Sequence, residues 1–449
     1  MKGGFKMPGW AIDNCDAKID AIVVASIDRY MAALGYDKRG GYYVADMSDD
    51  DGDQAYIYVV RPNGKGEGGG AVETVGNIYV SSVERHRYKD DFAYIRTTVR
   101  KACSPLHDSL PAVGDMEKLC KQIDTIRVTL NMSSSGQQGT ISSYVSSIEG
   151  LANLIRDGQY AAITTSVVFR VRSVISSIGA VVASLQSIAQ SEKDVIEAFQ
   201  KNLGPAMDKL AAELPRKKAS ITLAGVLSVV TWGIEAVEAV SSKNVAGGLK
   251  AGVTAIQGIY AFKFQESKGN AQATGLGQGR DAGARAVNES IVSGKKSLNQ
   301  ALRDAEDKLA ERVNDLGKTI NSQMECFDIE PRPILMKANA LEVSCSGVRS
   351  VADDALPHLA GKLRAVAGEM SGLNASLVFS RHRSIGRAPN GVAPEFNKMA
   401  TFVVDALKAL AYDLETFGYS LHDYVSDLEH TEGKAASRLL GVAPKYPGL

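Results

Sequence analysis

The fold is decided by the stretch LKALAYDLETFGYSLHDYVSDLEH, residues 407–430. Its apolar residues recur at alternating intervals of three and four positions, which places them on one side of an α-helix. The row consists of Leu407, Leu410, Leu414, Phe417, Leu421, Tyr424 and Leu428. No acid–base group or metal ligand interrupts it, so the pattern predicts a helix that packs lengthwise against a second helix.

A second row with nearly the same spacing precedes the first. It comprises Leu341, Cys345, Val348, Ala352, Ala355, Leu359, Leu363, Val366, Met370, Leu373 and Leu377. The stretch between the rows, RHRSIGRAPNGVAP at residues 381–394, is rich in turn formers, and its Arg-His-Arg start is typical of a solvated loop. Two rows of similar length joined by one turn predict an antiparallel helical hairpin with its apolar rows face to face.

The N-terminal part of the chain has a different character. Residues 11–35 have the apolar spacing of an amphipathic helix, whereas residues 36–90 carry aromatic and β-branched runs between glycine- and aspartate-rich turns. Those runs, including VGNIYVSSV at residues 75–83, predict a small β-sheet. The helical period returns from about residue 92, with apolar rows at 119–130, 171–188 and 298–320. The predicted fold class is mainly α: a long antiparallel helical bundle of coiled-coil hairpins with a small β-containing N-terminal element.

Shifts in composition divide the chain into five predicted parts. These are a small α+β element at residues 1–92, a helical hairpin region at 93–218, an apolar helical hairpin at 219–264, a hinge with a long amphipathic helix at 265–328, and a C-terminal helical hairpin at 329–449. The hinge prediction rests on the glycine-rich run SKGNAQATGLGQGRDAGA, whose composition is that of a flexible linker.

Composition and motifs argue against an enzyme. The 51 basic and 51 acidic residues balance, so no global charge attracts nucleic acid. The five cysteines and six histidines lack metal-binding spacing, which predicts buried free thiols and no metal site. Because no catalytic or cofactor-binding signature occurs, we predict no catalytic residues and no cofactor. The N-terminal stretch also lacks the apolar core of a general secretory signal peptide, so we expect none.

Residues 219–264 form an unusually apolar pair of segments. Two interpretations stay open: a hairpin buried inside a helical bundle, or a sheltered hairpin that enters a bilayer. The first segment, ASITLAGVLSVVTWGI, has no charged residue but is shorter than the roughly 20 residues that span a membrane. The membrane-hairpin candidates are Leu223, Val226, Leu227, Val230, Trp232, Ile234, Val253, Ile256, Ile259 and Phe262.

Residues 329–440 resemble the helical-hairpin substrates of actinobacterial type VII (ESX) secretion systems, the Trp-x-Gly superfamily. The resemblance is carried by the arm PILMKANALEVSCSGVRSVADDALPHLAGKLRAVAGEM, the turn, and FVVDALKALAYDLETFGYSLHDYVSDLEHTEGKAASRL. Residues 105–200 look like a weaker second copy. In that family a tyrosine and an acidic residue four positions later belong to the export signal, so the resemblance implies this role for Tyr419 and Asp423. SIGRAP stands where the family has its Trp-x-Gly turn.

We therefore expect a non-enzymatic helical protein, exported by a type VII-like system and acting at or beyond the cell envelope through protein contacts. Its expected partners are the secretion machinery or a helical protein; membrane contact and homo-oligomerisation stay open, and no nucleic acid is expected. The alternative is an α-helical pore-forming toxin that inserts the 219–264 hairpin into membranes. A third interpretation is a toxin with a catalytic head, whose site residues would be Tyr42, Tyr56, Tyr58, His86 and Arg87.

Overall fold

The chain is mostly helical, with one small sheet near its N-terminus. The computed structural model describes residues 15–48, 54–63, 67–69, 72–75, 82–108, 110–132, 140–155, 158–214, 284–329, 344–383 and 385–442. The predicted apolar hairpin at 219–264 and the glycine-rich hinge that follows it lie outside these ranges. The predicted fold class is thus confirmed at the level of a mainly helical protein with a small N-terminal sheet.

The described elements follow one another in this order. They are α1 (Cys15–Ala33), β1 (Asp37–Arg39), β2 (Tyr42–Asp46), β3 (Tyr56–Val60), β4 (Val72–Val75), α2 (Ser82–Asp108), α3 (Val113–Thr129), α4 (Ile141–Glu149), α5 (Leu151–Leu154), α6 (Gly158–Glu213), α7 (Ala284–Ser322), a 3₁₀ turn (Met324–Phe327), α8 (Cys345–Ser350), a π turn (Val351–Ala355), α9 (Leu356–Ser371), α10 (Ala375–Val378) and α11 (Ala393–Val442).

The apolar row of the opening stretch lies inside the protein, where the spacing predicted it. All seven of its members are buried along one side of α11. Helices α9 and α11 pack against each other, and α8 and α10 also contact α11. Burying a Leu or Phe side chain stabilises a fold by roughly 1.5–3 kcal/mol, so this row is a major part of the core.

The first apolar row is buried from Val348 to Met370, but it ends earlier than predicted. Leu377 was expected in the row and is instead exposed. The reason is that α9 ends at Ser371 and the chain re-enters a separate short helix, so the phase of the repeat is lost. Leu341, the first predicted member, lies outside the described residues.

Three side-chain bonds connect the two rows. Arg349 Nη2 lies 2.8 Å from Glu429 Oε2. Arg364 Nη2 lies 2.6 Å from Glu415 Oε2. Near the turn, Asn397 Nδ2 donates to Ser376 Oγ at 2.8 Å. Exposed ion pairs contribute little to the free energy of unfolding. They do show which residues of the two helical stretches lie next to each other.

The sheet is an antiparallel meander in the order β1-β2-β3-β4. It confirms the predicted β element, although its last boundary differs from the prediction. VGNIYVSSV was expected to be a strand, yet β4 ends at Val75 and helix α2 already begins at Ser82. Residues 76–81 lie outside the described part, and the helical region starts ten residues before the predicted position of about 92.

A buried carboxylate joins this sheet to α1. Asp28 accepts two hydrogen bonds from Arg61, at 2.7 and 2.8 Å, and one from the Tyr43 hydroxyl at 2.7 Å. Burial alone would raise the pKa of the Asp28 carboxyl, but the bonds from Arg61 and Tyr43 outweigh it and lower the pKa below 3.8. The ionised form therefore stabilises the folded state.

Replacement of Asp28 by Asn should remove this stabilisation. Because the folded-state pKa is depressed, the contribution is present above pH 3.8 and is lost as the pH falls through the folded-state value. Urea unfolding at pH 7 should show Asp28→Asn to be less stable than wild type by about 2 kcal/mol, and this difference should shrink towards pH 2.

Asp20→Asn is the matched control on the same helix. Asp20 pairs with Arg100 at the surface, where each side chain is about half exposed. Its replacement should change the free energy of unfolding at pH 7 by less than about 1 kcal/mol. Equal losses for the two variants, or a pH-independent loss for Asp28→Asn, would contradict this account of the Asp28 site.

Candidate functional site

The export-signal candidates lie on the outer surface of α11. Tyr419 is 74% exposed and the Asp423 side chain is 88% exposed. They are one helical turn apart, so the ring and the carboxylate project side by side. The packing that buries Phe417, Gly418 and Leu421 on one side of α11 leaves Tyr419 on the side that faces solvent.

A close helix contact fixes this orientation. Gly418, the residue before Tyr419, lies against the π turn, where a Cβ would stand 3.3 Å from the Ala352 carbonyl oxygen. The absence of a side chain lets the two backbones approach, and π turns inside helices often mark functional positions. The sequence predicted the apolar row on either side of Gly418, but nothing in it predicted the π turn.

Tyr419 and Asp423 present a phenol ring and a carboxylate to solvent. Among the described residues, the single ion-pair contact of Asp423 is His422 Nδ1, at 4.0 Å from its Oδ1. The ring can stack, both side chains can accept hydrogen bonds, and the His422 imidazole lies beside the Asp423 carboxylate.

The three tyrosines of the possible catalytic head pack against one another. The rings of Tyr42 and Tyr58 stand edge to face with centroids 6.1 Å apart, and Tyr56 tilts against Tyr58 at 6.3 Å. The side chains of His86 and Arg87 lie outside the part of the chain that the structure describes. Edge-to-face tyrosines on a sheet stabilise the sheet itself.

The thiols and metal-ligand types are also dispersed. Cys15, Cys103 and Cys120 are buried, as predicted, whereas Cys326 and Cys345 are half-buried. Burial raises the pKa of the Cys120 thiol to about 11, so the thiol is protonated and unreactive at neutral pH. Within the described ranges, no group of three or more His, Cys, Asp or Glu residues is arranged to hold a metal ion.

The ten membrane-hairpin candidates, from Leu223 to Phe262, all lie outside the described residues. In the part that is described, one helical stretch, Val167–Ala212 in α6, is long and apolar enough to cross a membrane. More than half of its most apolar window is buried inside the protein, as in the core helix of a soluble bundle. Length and composition alone do not distinguish the two settings.

A buried ionic cluster, which the sequence interpretation missed, holds the turn before α11. Arg381 was predicted in a solvated loop, but its guanidinium is fully buried between the carboxylates of Glu192 from α6 and Glu306 from α7. Both carboxylates are fully buried as well. Arg381 Nε also donates to the Phe379 carbonyl at 3.1 Å. We call these three charged residues the Arg381 cluster.

The backbone of the turn is shaped around the Arg381 cluster. Gly386 and Gly391 have φ angles of +54° and +57°, a region that favours glycine. A Cβ on Gly391 would meet Glu192 and Arg381, and a Cβ on Gly386 would meet Glu306. The Arg387 backbone N–H donates to the Glu306 carboxylate, while the Arg387 side chain bonds Glu395 twice at 2.6 Å.

The sequence did contain a signal for the Arg381 cluster. Glu306 falls four residues after Leu302 and three before Leu309, which is a core position of the apolar row in α7. Glu192 stands in the same relation to Ile188 and Val195 in α6. A glutamate at a core position of a helix requires a buried cation, because an unpaired buried charge is strongly destabilising.

Comparison with models of protein families, with curated proteins and with solved structures found no match to this chain.

Replacement of Arg381 by Met should destabilise the fold by about 3 kcal/mol, because it leaves two buried carboxylates without their cation. Chemical denaturation of the purified protein at pH 7 measures this loss. Addition of Glu192→Gln and Glu306→Gln to the Met variant should restore part of the stability, since the uncompensated charges are then removed. Arg383→Met, two residues away and exposed, is the matched control and should be close to neutral.

Proposed function

We propose that this chain is a non-enzymatic helical protein exported by a type VII-like secretion system, acting at or beyond the cell envelope through protein contacts. The observation that carries the proposal is the exposure of Tyr419 and Asp423 side by side on α11. A recognition pair on a rigid helix is held in a fixed geometry and costs little conformational entropy on binding.

The proposal includes an antiparallel C-terminal hairpin. As the position rises from 349 to 364 to 376 along the first arm, its bonded partner falls from 429 to 415 to 397 along α11. A decreasing order of partners is what an antiparallel pair requires. The burial of both apolar rows and the packing of α9 against α11 support the same arrangement.

The Arg381 cluster supplies a physical reason for the departure from the Trp-x-Gly turn. A tryptophan in such a turn anchors it by burying apolar surface. In this chain, SIGRAP occupies the turn, and the anchor is an arginine fixed by two glutamates from α6 and α7. We infer that the ionic anchor does here what the indole does in the family.

Export of the full chain from its native producer tests the role of Tyr419 and Asp423. Tyr419→Ala and Asp423→Ala should each lower the fraction of protein in the culture medium at least about tenfold, as loss of a central contact does. Immunoblots of cytosol, membrane and medium measure the distribution. Tyr94→Ala, an exposed tyrosine on α2, is the control and should be exported normally. Unchanged export of both test variants would contradict the proposal.

A second candidate function is membrane insertion by a pore-forming protein, and the packing of α6 with α7 favours it. Arg170 of α6 donates to the Glu325 carbonyl at 3.2 Å, and Glu192 of α6 shares Arg381 with Glu306 of α7. The partner number falls as the α6 number rises, so α6 and α7 run antiparallel. The apolar segment 219–264, which joins these two helices in the sequence, is the candidate for insertion.

Dye release from liposomes separates the two candidates. The export proposal predicts no release of trapped dye at micromolar protein, whereas a pore-forming protein should release it. If release occurs, Gly248→Leu should suppress it, because a bulky residue prevents close packing of the apolar helices. Gly317→Leu is the matched control, since Gly317 in α7 has open space where its side chain would lie. Dye release that is lost in Gly248→Leu would contradict the export proposal and support the pore-forming one.

A further inference from the structure

Helix α11 carries a second row of residues on the side opposite its apolar row. The members of this row, which we call the outer row, follow intervals of three, four, four, three, four, four and three positions. They are Asp405, Lys408, Tyr412, Thr416, Tyr419, Asp423, Asp427 and His430, and all are exposed. At 3.6 residues per turn they lie within an arc of about 100° over a length of about 37 Å.

The outer row combines aromatic surface with charges that other described residues leave unpaired. Tyr412 is 66% exposed, and with Tyr419 it places two aromatic rings at a heptad interval on one helix face. No ion pair connects Asp405, Lys408 or Asp427 with any residue of the described chain. On the flanks of the same helix, by contrast, the glutamates are paired with arginines. These are Glu395 with Arg387, Glu415 with Arg364, and Glu429 with Arg349.

The outer row is complementary to itself when reversed. Its intervals read the same from either end, with a centre between Phe417 and Gly418. A second copy of the row, placed antiparallel about that centre, puts oppositely charged or hydrogen-bonding side chains opposite each other in every pair. The pairs are Asp405 with His430, Lys408 with Asp427, Tyr412 with Asp423, and Thr416 with Tyr419. Self-complementarity of this kind is the requirement of a two-fold symmetric interface, where residue i meets j and j meets i.

We propose that a second copy of this chain packs on the outer row, with the two α11 helices antiparallel across a two-fold axis beside Phe417 and Gly418. Each Lys408 then faces an Asp427, each Tyr412 hydroxyl donates to an Asp423 carboxylate, and each Tyr419 ring covers a Thr416. The repeat of three, four and four positions spans eleven residues, or 3.67 per turn, so two nearly straight helices stay in contact along the row.

The dimer would cover Tyr419 and Asp423, so an export factor could bind them in the monomer alone. The inference does not rest on export, because it concerns the purified protein in solution. A dimer that forms while both export variants are secreted normally would leave this inference standing and remove the proposed function. A monomeric protein whose two export variants are retained in the cell would remove this inference and leave the proposed function standing.

Sedimentation of the full-length protein over a range of concentrations tests the interface. Wild type should dimerise, and Lys408→Glu and Asp427→Lys should each weaken dimerisation at least about tenfold, since each creates two like-charge pairs per dimer. The double variant Lys408→Glu/Asp427→Lys exchanges the charges and should return the dissociation constant to within about threefold of wild type. Circular dichroism and thermal unfolding verify that these surface variants are folded.

Disulfide trapping provides a second measurement that detects a weak dimer. Thr416→Cys/Tyr419→Cys should form a covalent dimer under mild oxidation, because the antiparallel register brings these positions of two copies together. Asp405→Cys/Lys408→Cys is the control and should stay monomeric, since its cysteines would lie about 30 Å from those of the partner. The inference would be overturned if wild type is monomeric and Thr416→Cys/Tyr419→Cys forms no cross-link. It would also be overturned if the dissociation constant of the dimer is unchanged in the charge-reversal variants.

Discussion

The ion pairs of Arg381 with Glu192 and Glu306 are the interaction on which the arrangement of the long helices depends. One side chain from the turn before α11 joins α6 and α7 at a single buried point. The desolvation of three charges is costly, so the cluster is weak as a source of net stability. Its role is to fix geometry. Helices that pack through apolar rows alone can shift along each other, whereas the directional hydrogen bonds of a buried guanidinium fix the positions of both carboxylates.

The surface of α11 follows from this fixed geometry. The apolar row of α11 packs against α9, and Gly418 lies against the π turn. The helical period then determines which residues of α11 are exposed to solvent. Tyr412, Tyr419 and Asp423 are exposed as a consequence. Export recognition and dimer formation are two proposed uses of the same face. The molecule's proposed functions therefore depend on shape and presented side chains rather than on reactive groups.

Spacing predicted most of the fold because helical periodicity is a local property. The row from Leu407 to Leu428 is buried throughout, and the sheet lies where aromatic and β-branched residues are concentrated. The errors have physical causes. Leu377 left the row because Gly372 and Leu373 interrupt the helix, a break that the apolar spacing alone does not reveal. Arg381 was misplaced because its partners are 189 and 75 residues away in the sequence, beyond the range of any local pattern.

The account is tested most directly by distances between spin labels on the two arms, measured by pulsed electron paramagnetic resonance with excess unlabelled protein. Labels at Lys362 and Thr416, both exposed, should give a short and narrow distribution. Labels at Lys362 and His430 should give a clearly longer distance, since His430 lies fourteen residues, or about 21 Å, farther along α11 than Thr416. Equal distances, or a broad distribution for the first pair, would mean that the arms do not pack side by side, and the account would fail.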